Sequence, residues 1–424
     1  MQKPISLPLI RPLLLSPLLL IPLLTLPAVA TAAVPGAGAI NQTVNTSTRF
    51  EGMGGAGVAA PWGSDTDHWA NPALLAFRPG VQYLKFESRL APGLADDVVL
   101  RNEELTIGAF GVTLLQANHP LDGNLLDMGT QTAVDENGNL LGTVQAYMQT
   151  RSWGFGVDGV VLLEQLLSLP DRPVSRYFTV AGGYVWSEFE DQLAPPWNFP
   201  EGMALTGSGM TTSKGVVARL NVLEASRGRG LFDNGLVGLR LGVAYGVSLL
   251  NDTDAYIERT GVEYAEPFPR MYLSGWSAHA EIPLAEGLRE RLEDPVARLL
   301  AGTFDPLVSF TYVDQKQEPG IVWDPGTLSY RYRRDCSGQY DETGRGWEVG
   351  LGNVLYYRQG HHTARYGQVD DDTEGIGLNL QLGRIAGYRY DWAKVPQAAG
   401  LPKVERESWT VWVDPVALAA FLRK

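Results

Sequence analysis

Val237-Gly238-Leu239-Arg240-Leu241-Gly242-Val243-Ala244-Tyr245-Gly246-Val247-Ser248-Leu249 alternates with a period of two. The odd positions are large and apolar, and the even positions are glycine, alanine, serine or arginine. Successive side chains of an extended strand point to opposite faces, so this run has one greasy face and one small or polar face. It is longer than the ~9–11 residues that a tilted strand needs to cross a bilayer.

The pattern returns near the C-terminus. Ile376, Leu378, Leu380 and Leu382 alternate with Gly375, Gly377, Asn379 and Gln381. Trp347, Val349, Leu351, Leu355 and Tyr357 alternate with Glu348, Gly350, Gly352 and Arg358, and Asn353 and Val354 break the phase. A soluble sandwich would turn such apolar faces inward. Repetition of long, glycine-rich strands that end in Tyr or Trp fits an apolar face turned outward onto lipid. The expected fold class is all-β, a transmembrane antiparallel β-barrel of about 14 strands, an even count as in bacterial single-chain barrels. Strands are expected near residues 81–90, 104–116, 142–150, 151–163, 176–188, 211–224, 235–250, 268–282, 305–315, 327–334, 346–359, 372–383, 385–393 and 407–413. Residues 122–141, 189–212 and 314–326 read as long loops at one rim, rich in Pro, Gly, Asp and Asn.

Residues 1–32 read as an export signal. Lys3 and Arg11 supply positive charge, Leu13 to Leu26 an apolar core, and Ala28-Val29-Ala30 or Ala30-Thr31-Ala32 a small-residue cleavage site. Prolines at 12, 16, 22 and 27 disfavour a retained transmembrane anchor. The remainder holds no apolar run of the ~18 residues that a spanning helix requires, and the mean hydropathy of the chain is -0.08. The single cysteine, Cys336, excludes an intramolecular disulfide framework. A net charge of -13 with no basic stripe excludes a nucleic-acid partner. The chain has 48 glycines and 10% aromatics, which suit a curved wall and its interfaces with the membrane. Between two strands, Leu284, Leu288, Leu292, Val296, Leu299 and Leu300 recur at helical spacing, and Pro295 is expected to kink or divide that helix.

Just inside the mature N-terminus, Arg49 to Phe77 reads as a compact segment, neither strand nor long helix. Gly52, Gly54, Gly55 and Gly57 allow positive φ and close backbone approach, and Asn71-Pro72 forces a turn ahead of the apolar run Ala73 to Phe77. Gly52, Gly54 and Gly57 match the dinucleotide pattern G-x-G-x-x-G. That pattern needs an apolar strand before it and a helix after it. Asn41 to Thr48 is polar, and Pro61, Trp62 and Gly63 interrupt any helix, so a nucleotide site is set aside.

The same residues carry a family likeness. Gly52-Met53-Gly54-Gly55-Ala56-Gly57-Val58-Ala59, with Asp67 and Asn71-Pro72-Ala73-Leu74-Leu75-Ala76, resembles the N-terminal signature of the PorV/PorQ proteins and the wider FadL-like (OMPP1/FadL/TodX) outer-membrane superfamily. Gly375-Ile376-Gly377-Leu378, Gly387 to Ala393 and Trp409 to Val413 look like the closing strands of that group. The chain departs from many outer-membrane barrels in ending on Asp414-Pro415 and a short helical stretch, Val416 to Lys424. The resemblance implies three parts: residues 1–32 as leader, 33–79 as a plug in one mouth, and 80–424 as the barrel. It assigns Gly52, Gly54, Gly55, Gly57, Asp67, Asn71, Pro72 and Ala73 to plug structure and gating. It implies an outer-membrane location, contact with outer-membrane lipid, and passive transport of hydrophobic small molecules. The alternative it leaves open is a PorV-like docking or shuttle component of a type IX-like secretion system, whose partners are secreted proteins or secretion-machinery subunits.

No enzymatic, metal or cofactor site is expected. His361-His362 and Asp370-Asp371-Asp372 match no ligand spacing and read as a solvated hairpin loop. Arg331, Arg333 and Arg334 with Asp335 read as a solvated rim cluster. Gly207-Ser208-Gly209 and Leu273-Ser274-Gly275 fall short of a nucleophile elbow. Alternation places Ser274 and His279 on opposite faces, against a catalytic pair.

Overall fold

The structure, a computed structural model, describes residues 37–63, 68–91, 95–134, 140–168, 174–194, 205–224, 237–259, 265–284, 292, 294–327, 329–333, 340–365, 367–383, 385–397 and 401–422. The wall begins with β1 (Gly80–Ala91), β2 (Ala95–Ala109), β3 (Val112–Ala117), β4 (Gly123–Val134) and β5 (Leu140–Asp158). It continues through β6 (Phe178–Ala194), β7 (Leu205–Glu224) and β8 (Arg240–Leu250). Two short strands, β9 (Tyr256–Arg259) and β10 (Glu266–Pro267), cover its rim. After them come β11 (Met271–Ile282), β12 (Val308–Pro319), the small hairpin β13 (Ile321–Asp324) and β14 (Ser329–Tyr332), then β15 (Glu342–Leu351) and β16 (Leu355–Ala364). Last are β17 (Val369–Leu382), β18 (Ala386–Val395) and β19 (Val404–Val413). Each wall strand pairs antiparallel with its neighbours, and β1 pairs with both β2 and β19, which closes the wall. β3 and β4 share one place between β2 and β5, so the closed barrel has fourteen places.

Alternation decides which face is which. On β8, Val243 is 42% exposed and Ala244 5%. On β17, Leu380 is 53% exposed while its neighbour Asn379 is fully buried. The apolar side chains therefore face outward and the small and polar ones fill the interior, as a lipid-facing wall requires. Leu241 to Leu249 spans about 26 Å of strand at ~3.3 Å per residue, or about 20 Å of height at a ~40° tilt, close to the ~25 Å apolar band of such barrels. Toward the loop end, away from the closing end where β1 begins, the band stops at an aromatic ring. Trp153 lies opposite Trp186, Tyr245 opposite Trp276, Tyr312 opposite Trp347 and Tyr390 opposite Trp409 on neighbouring strands. The outward positions beyond it turn charged, among them Lys85, Glu188, Asp314, Arg345, Glu374 and Glu407. Aromatic rings favour the headgroup level, so this ring marks one membrane boundary.

The number of wall strands matches expectation, but only because opposite errors cancel. Residues 104–116 are the end of β2 and the start of β3, joined by a turn at Phe110-Gly111; residues 346–359 likewise span β15, a turn and β16. Against those mergers, 142–158 is a single strand, and the strand within 327–334 is β14 of the small hairpin rather than part of the wall. Parts of all three expected loops are strand, including all of β4. The helix expected over 284–300 begins at Pro295 as α3 (Pro295–Thr303), after α1 (Thr48–Glu51) and α2 (Gly159–Leu166). Its expected first half lies largely outside the described residues. A last helix, α4 (Pro415–Leu422), follows the closing strand, capped by Asp414, whose Oδ1 accepts from the N–H groups of Val416 and Ala417.

Residues 37–63 and 68–79 lie inside the barrel. Gly38 N–H donates to Pro267 O at the loop end, the chain then crosses the lumen, and it leaves at the closing end to begin β1 at Gly80. Phe50, Met53, Ala60, Ala73 and Leu74 form one buried cluster with wall residues Ala181, Val217, Ala244 and Val313.

An outward apolar face has a measurable consequence. Leu380→Arg should cost about 2–4 kcal/mol in reversible refolding into lipid vesicles, whereas Glu374→Arg, beyond the aromatic ring on the same strand, should cost no more than about 1 kcal/mol.

Candidate functional site

The plug rests on bare backbone. A Cβ at Gly360 would overlap Gly54 N and Met53 C, and one at Gly346 would sit 2.6 Å from Met53 Cα. Likewise a Cβ at Gly183 would overlap Pro72 O, and one at Gly246 would overlap Val58 O. The small face of the alternation is thus a seat on which plug main chain lies directly against wall main chain.

All of the plug residues named from sequence except Asp67 lie in or beside this contact. Gly54 and Gly55 have φ of 75° and 76°, a left-handed conformation that favours glycine. A Cβ on Gly54 would also meet His361 O at 2.5 Å and Arg345 O at 2.7 Å. Gly52 packs on Gly375, and a side chain at Gly57 would strike the Phe50 ring. Asn71 works in both directions: its Nδ2 donates to Val58 O at 2.8 Å, and its Oδ1 accepts from Ala73 N–H at 3.0 Å. That bond caps the 3₁₀ turn Pro72–Phe77, in which Pro72 and Ala73 are buried. Asp67 lies outside the described residues.

Wall side chains hold the plug's backbone groups. Gln315 Oε1 accepts from Gly57 N–H at 2.9 Å and Val58 N–H at 2.8 Å. Thr373 Oγ1 accepts from Gly54 N–H at 2.9 Å and donates to Gly52 O at 3.1 Å. Glu51 pairs with Arg406 at 2.9 Å; burial pushes its carboxyl above the usual range while Arg406 opposes the rise.

A buried ion cluster, missed from sequence, joins plug to wall. Arg49 of the plug donates to Glu348 through Nε at 3.1 Å and Nη2 at 2.7 Å, and through Nη1 to Trp62 O at 2.7 Å. Glu348 also accepts from Arg358 Nε at 2.6 Å; Arg358 Nη1 lies 2.7 Å from Asp391, which pairs with Arg389 at 2.7 Å. All five side chains are at most 4% exposed. The wall contributes two arginines and two carboxylates, and Arg49 adds a third cation. Burying charges is favourable only when each is paired and hydrogen-bonded, so this cluster fixes where the plug must sit.

One place in the wall departs from the ladder. Leu105 of β2 pairs with Gln116, yet Glu103, two residues back, pairs with Gly123. On the other side Ser152 pairs with Ala117 and Thr150 with Asn124. Asn118–Asp122 therefore leaves the ladder opposite Glu104 and Arg151. It lies on the outer face, where Asp122 O accepts from Gln149 Nε2 at 2.8 Å. Behind it is a chamber of about 80 Å³ whose lining includes Gln42, Trp69, Glu104, Asn124, Thr150 and Ser152. Glu104, 1% exposed, binds Arg78 at 2.8 Å and lies 3.3 Å from His68 Nδ1. Toward the loop end, Leu84, Phe86, Leu100, Phe189 and Phe268 form an apolar cluster with Val44 of the plug, and Ile40 packs against it.

The other residues singled out from sequence lie elsewhere. His361 is on β16, not in a loop, and its two ring nitrogens sit 2.9 Å from Asp370 and from Asp372 of β17. His362 points the other way, into the barrel, 3.2 Å from Gly54 O. Arg333 pairs with Glu318 at 2.7 Å, Arg331 lies 3.5 Å from Asp324, and Arg334 and Asp335 lie outside the described residues. His279 faces inward, stacked on Trp62 with ring centroids 5.2 Å apart, and does not meet Ser274.

No family model and no curated protein matches the chain. Solved structures similar to it include the toluene transporter TbuX of Ralstonia pickettii, a Pseudomonas aeruginosa FadL homologue and the P. putida toluene transporter TodX. Their identities are 10%, 9% and 11%, with TM-scores of 0.36, 0.36 and 0.32. The matches cover 85%, 87% and 85% of this chain and 95%, 98% and 95% of theirs. Identities and TM-scores this low carry neither a family nor a function across to this chain.

The ion cluster predicts an order of damage. Glu348→Gln leaves three guanidiniums around one carboxylate and should cost about 3–5 kcal/mol. Arg49→Met leaves the wall's own charges balanced, so the barrel should stay heat-modifiable on gels while the plug becomes protease-sensitive and conductance in planar bilayers rises. Equal damage from both substitutions would show that Arg49 does not hold the plug.

Proposed function

We propose that this protein is an outer-membrane barrel through which small hydrophobic molecules pass without an energy source, crossing the wall sideways at Asn118–Asp122. Residues 1–32, outside the described residues, serve in this reading as the cleaved export leader.

The departure of Asn118–Asp122 from the ladder is the observation that carries the proposal. Along the paired strands a solute would have to break strand pairing, and in lipid each backbone group that loses its partner costs several kcal/mol. Asn118–Asp122 is inserted between the ladder residues Ala117 and Gly123 and is paired with neither neighbouring strand, so it can be displaced without unzipping them. The straight path down the lumen is filled by the plug, which the glycine seat and the Arg49 cluster hold in place. The apolar cluster at the loop end supplies a place where a hydrophobic molecule is first taken up, in exchange for Val44 and Ile40 of the plug. Gly52 to Gly57 and Asn71 to Ala73 then act as the gate, since small shifts of a backbone packed on backbone open or close the way to the side. The likeness of this segment to the FadL-like signature, PorV/PorQ included, agrees with that role.

Excision of Asn118–Asp122, joining Ala117 to Gly123, makes the wall continuous. Cells of a Gram-negative host lacking its own fatty-acid transporter should take up a labelled long-chain fatty acid or alkylbenzene when they express the parent protein. Uptake should fall at least about tenfold with the excised variant, whose heat-modifiable band shows that it has folded; a rate difference of that size corresponds to about 1.4 kcal/mol. Undiminished uptake through a folded, excised barrel would rule out the lateral route.

A further inference from the structure

We propose that the chamber behind Asn118–Asp122 binds the hydrogen-bond-donating head of a small amphipathic molecule, a hydroxylated ring or short chain, in preference to a pure hydrocarbon or a carboxylate. This rests on reading the barrel as a passage and ranks, among the molecules that pass, which class the chamber holds most tightly.

Three buried amide oxygens at this place lack a protein donor among the described residues: Asn41 Oδ1, Gln42 Oε1 and Asn124 Oδ1. Asn41 is fully buried and Gln42 is 6% exposed; Gln42 and Asn124 line the chamber directly. The orientation of two of these amides follows from their neighbours. Asn41 Nδ2 donates to Asn124 O at 3.1 Å, and Asn124 Nδ2 donates to Asn41 O at 3.1 Å. A backbone carbonyl only accepts, so the nitrogen of each amide must face it and the oxygen must face away. The Thr150 hydroxyl accepts from Asn41 Nδ2 at 2.9 Å and from Gln42 Nε2 at 3.1 Å, so both amides turn their nitrogens toward it and their oxygens away from it.

Buried acceptors are ordinarily satisfied, and an O–H or N–H from a guest satisfies them. The rest of the lining suits an apolar body: Trp69, Pro72, Val185 and Leu250 face the same space. The volume of about 80 Å³ is several times what a single water needs. A carboxylate fits badly, because it sets acceptor against acceptor beside the buried Glu104. A hydrocarbon fits badly in the opposite sense, since it leaves the amide oxygens unmet.

Three probes of similar shape separate these cases: 4-fluorophenol, 4-fluorotoluene and 4-fluorobenzoate, titrated by 19F NMR onto the full protein in nanodiscs, with empty nanodiscs subtracted. The expected result is saturable binding of 4-fluorophenol at least about tenfold tighter than that of 4-fluorotoluene, and no saturable binding of 4-fluorobenzoate. In Gln42→Leu and Asn124→Leu variants that retain heat-modifiability, the advantage of 4-fluorophenol should be lost. Equal or tighter binding of 4-fluorotoluene to the parent protein overturns the proposal without recourse to any variant, as does 4-fluorophenol binding that survives both substitutions. Failure of all three probes in a protein that still carries fatty acid or alkylbenzene into cells removes the chamber site and leaves the passage standing. Binding of 4-fluorophenol by a protein that carries nothing into cells removes the passage and leaves the chamber.

Discussion

In lipid there is no water to pair with a stray N–H or C=O, and that single restriction organises this molecule. It forces the strands into a closed ladder, with β1 bonded to β19 as well as to β2. Closure then gives the two faces of every strand different surroundings, hydrocarbon outside and a packed interior inside. The alternation of Val237 to Leu249 is the sequence answering that division one residue at a time.

Closure creates a second demand, since the interior must be filled without leaving polar backbone unmet. The plug fills it with main chain, and main chain brings its own donors and acceptors. Glycine in the wall lets plug backbone approach wall backbone, and Gln315 and Thr373 supply the hydrogen bonds that the plug cannot make to itself. Arg49 adds register, because its three bonded nitrogens reach Glu348 and the Trp62 carbonyl in only one position of the segment. Small residues for proximity and a charged cluster for position are complementary, and neither alone would place the plug.

What was legible in the sequence follows from the range of each interaction. Alternation is local, so it is readable wherever a strand lies within the apolar band. It fades where strands run beyond that band: the outward positions of β2 from Arg101 to Glu103 are charged, and β4 is polar along much of its length. The stretch that holds β4 accordingly read as loop, and the part of β2 before Glu104 was not assigned to a strand. The plug glycines were recognisable by type and spacing, because a left-handed Gly54-Gly55 pair leaves a mark within a few residues. The Arg49–Glu348 pair spans a separation of 299 residues and leaves no such mark. Asn118–Asp122 was equally hidden, since a wall excursion is defined by what lies across from it, and only the partners of Gln116, Ala117, Gly123 and Asn124 reveal that five residues are inserted between two adjacent places of the ladder.

The height of that excursion is itself informative. Glu104 pairs across β1 with Leu84, between outward Tyr83 and outward Lys85, and Lys85 forms an ion pair with Glu103 at 2.9 Å. The interruption therefore falls where the outer face changes from apolar to charged, next to the aromatic ring and not in the middle of the band. At midplane, ladder groups released by the excursion would face hydrocarbon; at the interface, headgroups and water can meet them. The same placement brings a sideways-moving solute to the level at which amphipathic molecules already lie, polar end toward water and apolar end toward the chains. The proposed lateral route at this height and the proposed chamber site behind it thus make the same demand on a guest: an apolar body that carries a donor at one end.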